Sequence, residues 1–471
     1  MTGSSSRSTA RKTHKTSDMG SLKQYIDLYE QQRQTIEAGS PALFNRLRRE
    51  ALSALHALGR LPGKGDEGYS YVLPEQMFAP DYGLNVARVP FAVDVAATFH
   101  CDVPNVSTLL GVVVNDEFRP TATLLKNLPD GVTVMSLRRA AAEMPELVEP
   151  YLGRIAGERG SQSAATALNT LLMQDGVFIR VADGVQLDRP LQIVNIFNAD
   201  ADLMSVRRVL AVIGRDASAK VLFCDHTQSA GHKYLSSQVI EIALDRDARL
   251  DWCDIEESSE LTGRHSQLYA RQDAASSLSL NSTSLIVGET RNEYDITLEG
   301  EGASLRVGGM AIADDKRKID NSTLVIHRAG HCNSEQLFKY LLDGEGRGSF
   351  EGLIRVDEGA DGTAAYQANR NMLASAEARM HTAPQLEIYC DDVKCSHGAT
   401  TGQLNDEALF YMRSRGIPLA EARMMLMQAF MADVIDTVPI ESLRDRLRHL
   451  VERRLSGEHA TCGDCSAVCK K

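Results

Sequence analysis

Between Pro190 and Pro384 the chain contains not one proline, although 14 occur in the sequence as a whole. Proline has no N–H to give to a strand ladder, so its exclusion from so long a span is what a continuous hydrogen-bonded sheet requires. In and just before this span short apolar stretches recur at 177–181, 209–212, 221–223, 239–242, 285–287 and 324–326. Gly, Asp, Asn and Ser separate them, and the span reads as many short strands. No fixed period links the stretches, which leaves a sandwich, a barrel and an irregular parallel β-helix open on pattern alone.

Both flanks are helical. Leu22, Tyr25, Ile26 and Tyr29 share one face, and Leu43, Phe44, Leu47, Ala51 and Leu55 share the face of a second segment that Pro41 opens and Gly59 closes. A mixed region carrying most of the prolines follows to about residue 168. From residue 404 the helical period returns in segments 406–415, 419–435 and 441–455, punctuated by Gly416 and Pro439. The middle one places Met424, Met425, Met427, Phe430 and Met431 around much of its circumference. Two readings of this set stand: filler of the groove between helices and β-domain, or an adaptable docking face for a partner.

Formal charge is −12, and the basic residues are dispersed, which argues against nucleic acid as the main partner. No apolar run approaches the length of a membrane helix. Arg7, Arg11, Lys12 and Lys15 stand among Ser and Thr without the interleaved Leu, Phe or Ile of a transit peptide, so the first residues read as a solvated tail. Nine scattered cysteines form no disulfide framework and fit a reducing cytoplasm.

The phosphate loop G-x-x-x-x-G-K-[ST], the H-E-x-x-H zinc site and the G-x-S-x-G nucleophile elbow are all missing. Gly344-Glu345-Gly346-Arg347-Gly348 lacks the strand-to-helix setting of a phosphate cradle and reads as a β-turn. His226 and His232 with Cys224, and His327 and His331 with Cys332, read as structural or surface groups. Cys395 and His397 differ, because a thiol and an imidazole two residues apart point to the same side of an extended strand and can address one soft or borderline metal. The last constellation, His459-x2-Cys462-x2-Cys465-x3-Cys469, has a spacing that suits zinc or iron. A terminus with free thiols and a labile metal site are both open there.

Two blocks make the chain recognisable. Residues 336–375 include GRGSFEGLIRV and AAYQANRNMLAS, and residues 384–417 read PQLEIYCDDVKCSHGATTGQLNDEALFYMRSRGI. They resemble the SufB/SufD family of iron-sulfur cluster assembly proteins, on its SufD branch. The resemblance implies a mainly β fold, a right-handed parallel β-helix core flanked by amino-terminal and carboxy-terminal helical domains. It also implies a non-catalytic scaffold subunit that pairs with SufB, docks the SufC ATPase on its carboxy-terminal helices, shares a transient cluster with SufB and works in a complex with which reduced flavin associates. SufB-type chains carry a cluster cysteine where this chain reads Asn371-Met372-Leu373, and a HEAT motif where it reads His397-Gly398-Ala399-Thr400. Both differences favour the SufD branch over a SufB-like scaffold that holds the cluster itself. On the family's pattern His397 maps onto the histidine that faces the SufB cysteine, while Cys395 has no assigned role.

The expected organisation is a disordered tail at 1–18, a helical domain at 19–165, the β-helix at 166–403, a helical domain at 404–456 and a Cys-rich tail at 457–471. A β-helix also serves polysaccharide-degrading enzymes, but one tryptophan and no export signal leave such an enzyme without its sugar-stacking surface or its compartment.

Overall fold

The structure is a computed structural model and describes residues 19–91, 108–229 and 231–456. The expected tails at 1–18 and 457–471, and with the second His459, Cys462, Cys465 and Cys469, lie outside the described residues.

The centre is a parallel β-solenoid of about eight turns. From Leu191–Phe197 onward, successive strands alternate between two facing sheets. Leu203–Ile213 joins a nine-stranded sheet, Ser218–Thr227 a ten-stranded one, and so on to Arg379–Ile388 and Val393–Gln403. Each strand therefore pairs in parallel with the strand one full turn away. One turn takes 26 residues from Arg264 to its partner Thr290 but 32 from Gly348 to its partner Met380. The loops absorb this difference, which is why no fixed period is visible in the sequence.

A stacked corner explains the recurring Asp and Gly. Asp216, Asp247, Ala275, Gly302, His331 and Gly362 all have positive φ, the region that glycine enters freely and aspartate more easily than most residues. Their N–H groups donate along the solenoid from one turn to the next: Asp216 to the Arg246 carbonyl at 3.0 Å, Ala275 to Glu301 at 2.9 Å, His331 to Asp361 and Gly362 to Asp392 at 2.7 Å. The corner is thus a ladder outside the sheets.

Side chains alternate between an interior face and an outer face on every strand. The interior has an apolar half, in which Phe223 stacks on Trp252 with ring centres 5.5 Å apart and Phe338 meets Phe350 at 4.7 Å. Its other half is polar, with Asp225, Asp254, Arg264, Asn292 and Asn321 all buried.

The outer faces are covered by helices. Leu22–Glu37, Ala42–Leu58 and Ala164–Leu172 share one core with Leu210, Val212 and Leu235 of the nine-stranded sheet. All nine residues of Ala164–Leu172 are buried, because this helix lies between the sheet and the other helices. Leu419–Ile435 and Glu441–Leu455 cover Leu222, Ile255, Met310 and Ile312 of the ten-stranded sheet.

Strands of both sheets also occur before residue 165. Leu109–Val114 already pairs in parallel with Leu191–Phe197, and Val132–Ser136 pairs antiparallel with Val177–Val181, so the helical domain lends strands to both sheets. The reason is edge protection: these strands and the following helix close the first turn of the solenoid, which otherwise presents unpaired backbone. Among the described residues no helix is long and apolar enough to cross a membrane.

Candidate functional site

The last turn of the solenoid is built differently from the first. Val393–Gln403 pairs with Thr363–Leu373 and, among the described residues, with no strand on its other edge. It is exposed or half-exposed along its whole length, and Arg379–Ile388 of the other sheet is similarly open. Exposed Tyr366, Ile388 and Tyr389 lie around this end.

Cys395 and His397 sit on this open strand, in register with Ala365 and Gln367. Both partners are buried, and Gln367 reaches across the interior to Thr323, so Cys395 and His397 share the interior side of their strand. Cys395 packs at the rim of a cluster formed by Ile354, Val356, Ala360 and Ala365, and burial pushes its thiol up. His397 is exposed, because among the described residues no further turn covers it.

A second thiol, Cys390, stands at the rim of the same cluster and was not singled out by sequence reasoning. It donates to Asp361 Oδ1 at 2.9 Å, a bond that pushes this thiol up as well. Among the described residues no group of three or more His, Cys, Asp or Glu side chains is arranged to hold a metal ion.

Asn371 is buried and donates to Asn369 Oδ1 at 2.7 Å, the Thr400 carbonyl at 3.1 Å and Thr401 Oγ1 at 3.2 Å. It ties the last two strands of this sheet together.

The other histidine and cysteine sets are structural or superficial. His226 and Cys224 are buried beneath the carboxy-terminal helices, and burial pushes the His226 imidazole down. His232 lies at the surface, 3.9 Å from Asp202; Ala230, beside it, is outside the described residues. His327 bonds Ser334 Oγ at 2.8 Å and is pushed down to about 4 by burial. His331 serves the left-handed corner, and Cys332 Sγ donates to the Gly300 carbonyl at 3.3 Å. Gly344, with φ of 54°, turns the chain between Asn333–Leu342 and Arg347–Val356, in agreement with the β-turn reading.

The methionine-rich helix divides. Met431 is fully buried against the sheet, and Met427 and Phe430 pack beside it. Lys339 Nζ donates to the Phe430 carbonyl and to Asp433 at 2.6 Å each, and lies 4.7 Å from the Phe430 ring centre. Met424 is half-buried and Met425 exposed. Phe410, 77% exposed, Tyr411 and Leu419 are further exposed apolar residues of the carboxy-terminal helices, which sequence periodicity did not single out.

The comparisons with known proteins agree with this architecture. The chain matches the family model described as SUF system FeS cluster assembly, SufBD core domain, over residues 195–430, and the SufBD protein N-terminal region over residues 19–193. It is 28% identical over 405 residues to an iron-sulfur cluster assembly SufBD family protein of Synechocystis, covering 84% of this chain and 88% of the relative. The iron-sulfur cluster assembly protein SufD of Escherichia coli is 38% identical over 195 residues, 41% of this chain and 45% of that protein. SufD of Bacillus subtilis is 26% identical over 347 residues, 73% of this chain and 78% of that protein. With both of its halves matched, the chain belongs to the SufBD family of iron-sulfur cluster assembly proteins.

Proposed function

We propose that this chain is a non-catalytic scaffold subunit of a Suf complex, pairing with a SufB-type subunit through the open end of its solenoid. The observation that carries this reading is the uncapped strand Val393–Gln403, which offers a free edge and the side chains of Cys395 and His397. A second solenoid end can add its strands there and bury the site between the subunits. His397 then supplies one neutral imidazole ligand to a transient iron-sulfur cluster whose remaining ligands come from the partner. Asn371, held by three hydrogen bonds where a SufB-type chain has its cysteine, supports the SufD-like role over the cluster-holding one.

The exposed Phe410, Tyr411, Leu419 and Met425 suit an ATPase subunit of the SufC type, whose nucleotide state would open or close the paired face. Reduced flavin belongs to the assembled complex in this reading, and the compartment is the cytoplasm. The spacing of His459, Cys462, Cys465 and Cys469, which lie outside the described residues, suits a labile zinc or iron site or a terminus with free thiols, and bound metal in the full chain compared with a truncation after Leu455 decides between the two.

The deciding experiment is recovery of the tagged chain from its native cell with identification of what comes with it. Co-recovery of a SufB-type subunit and an ATPase in fixed stoichiometry is expected. A chain that remains alone under those conditions overturns the assignment.

A further inference from the structure

The strongest feature not absorbed by the assembly face is the polar half of the solenoid interior. Near the first turns it holds two arginines and three carboxylates, all nine-tenths or more buried. Arg207 Nη1 donates to Asp225 Oδ1 at 2.7 Å, Arg264 pairs with Asp254, and Arg264 Nη1 lies 3.5 Å from Asp225 and 3.8 Å from Glu256. Glu256 further accepts from Thr290 Oγ1 at 2.7 Å and Ser284 Oγ at 3.2 Å. Three acids against two guanidinium groups leave one excess negative charge if all are ionised. Burial of such an excess favours uptake of a proton, so that one carboxyl of the cluster can exchange between acid and carboxylate.

From Glu256 a trail of polar groups runs to the open end. Thr290 and Asn292 are successive interior-facing residues of one strand, Asn292 Nδ2 donates to Asn321 Oδ1 at 3.0 Å, and Asn321 and Thr323 are again successive on theirs. Gln367 Nε2 donates to Thr323 Oγ1 at 3.4 Å, and Gln367 is the direct register partner of His397. Two of the three breaks in this trail lie along strands, where residues two apart are about 6.6 Å apart, a gap that one water bridges, and the third lies between Gln367 and His397 on adjacent strands. Buried polar atoms with no hydrogen-bond partner among the described residues accompany it: Asp225 Oδ2, Asp254 Oδ1, Gln238 Oε1, Asn292 Oδ1, Gln367 Oε1 and both amide atoms of Gln336. Such atoms are satisfied in folded proteins by bound water.

We propose that the interior of the solenoid holds a file of bound water joining the Glu256 carboxyl to His397, and that this file carries protons to and from the assembly face. The functional half rests on the role proposed above. When a thiol becomes an iron-bound thiolate it releases one proton; the waters of the file and the hydroxyls of Thr323 and Thr290 pass that proton, with the Asn292, Asn321 and Gln367 amides only holding the water in place, to the Glu256 carboxylate, which becomes the carboxylic acid, with no change in oxidation state. A partner that covers the last strand closes the direct route to solvent but leaves this one open. Burial pushes Glu256 up to about 7, opposed by Arg264 and by the Thr290 bond and reinforced by Asp225 and Asp254, so it can hold or release a proton at neutral pH.

Three measurements on the full chain and its complex decide the matter. A high-resolution crystal structure is expected to show an unbroken run of ordered water from Thr290 past Asn292, Asn321 and Thr323 to the space between Gln367 and His397; a dry gap at any of these places overturns the proposal whatever the chain's role in assembly. Infrared difference spectra across neutral pH should show a protonated carboxyl band that disappears as pH rises and is lost in Glu256→Gln, and its absence from the unaltered chain overturns the proton store. Gly352→Ala places a methyl against the Gln367 amide and displaces it while leaving Glu256 and His397 in place. In the reconstituted complex this variant should form cluster more slowly, with a larger solvent isotope effect; an unchanged rate overturns the relay. Failure of the unaltered complex to form cluster refutes the proposed function, and the water and infrared measurements then decide the file by themselves.

Discussion

Gln367 and His397 are direct partners on adjacent parallel strands, yet Gln367 is 3% exposed and His397 is open to solvent. The two side chains occupy equivalent positions one turn apart. What separates them is that a further turn covers the first and, among the described residues, none covers the second. An open solenoid end leaves backbone groups and interior-facing side chains in water, and a partner that continues the solenoid covers both at once.

Replacing His397 by Ala is therefore expected to leave thermal unfolding of the isolated chain within about 0.5 kcal/mol of the parent, as for exposed residues generally. In the reconstituted complex the same variant should assemble normally but yield less cluster. Iron and sulfide per complex check this, and an unchanged yield removes His397 from the assembly face.

The carboxy-terminal helices give two substitutions of opposite effect. Met431→Ala removes a fully buried side chain and should cost about 2–5 kcal/mol of stability. Met425→Ala changes an exposed one and should cost less than about 0.5 kcal/mol. Combined with Phe410→Ala, it should weaken ATPase binding in a titration with the purified ATPase subunit. Equal ATPase affinity for parent and double variant would place the docking surface elsewhere.

The difference between those methionines shows what the sequence could and could not reveal. Helix bounds were legible because Pro41, Gly59, Gly416 and Pro439 punctuate them, and the observed Leu419–Ile435 and Glu441–Leu455 match the periodic segments. The face each methionine takes was not legible, since Met424, Met425, Met427 and Met431 surround the helix and only the sheet beneath selects Met431 for burial. Strand positions were legible but their lengths were not. The apolar stretch 239–242 is less than half of Tyr234–Leu244, because Ser236 and Gln238 in the same strand face the polar side of the interior. For the same reason the buried cluster of Arg264, Asp254 and Glu256 escaped notice: charged residues in a strand ordinarily mark its solvent face. The end of the strands at 403 was legible from the return of the helical period at 404, but that the last strand stays open was not, as nothing local in residues 393–403 states it.

The corner ladder yields a backbone prediction. Gly362 has φ of 72°, its N–H holds Asp392, and a Cβ there would press on the His331 ring. Gly362→Ala should cost about 1–2 kcal/mol from the left-handed conformation alone. Because this rung supports the last turn, hydrogen exchange should speed up first in residues 393–403. Loss of protection spread evenly over the solenoid would contradict that placement.

Buried titratable groups make stability depend on pH with opposing signs. Burial holds His327 down at about 4 from its ordinary 6.5, so the folded chain keeps it neutral while the unfolded chain takes up a proton below about 6.5. Its contribution is fully present above that pH and is lost as pH falls toward about 4. Glu256 acts the other way: raised to about 7 from 4.5, it binds its proton more readily when folded and adds stability as pH falls through that interval. Urea unfolding at pH about 8 and about 4.5 separates the two. His327→Gln, which can keep the bond to Ser334, should narrow its stability gap to the parent on acidification. Glu256→Gln should instead lose stability more steeply than the parent over the same range, and parallel curves for all three proteins would show that neither group changes its protonation on unfolding.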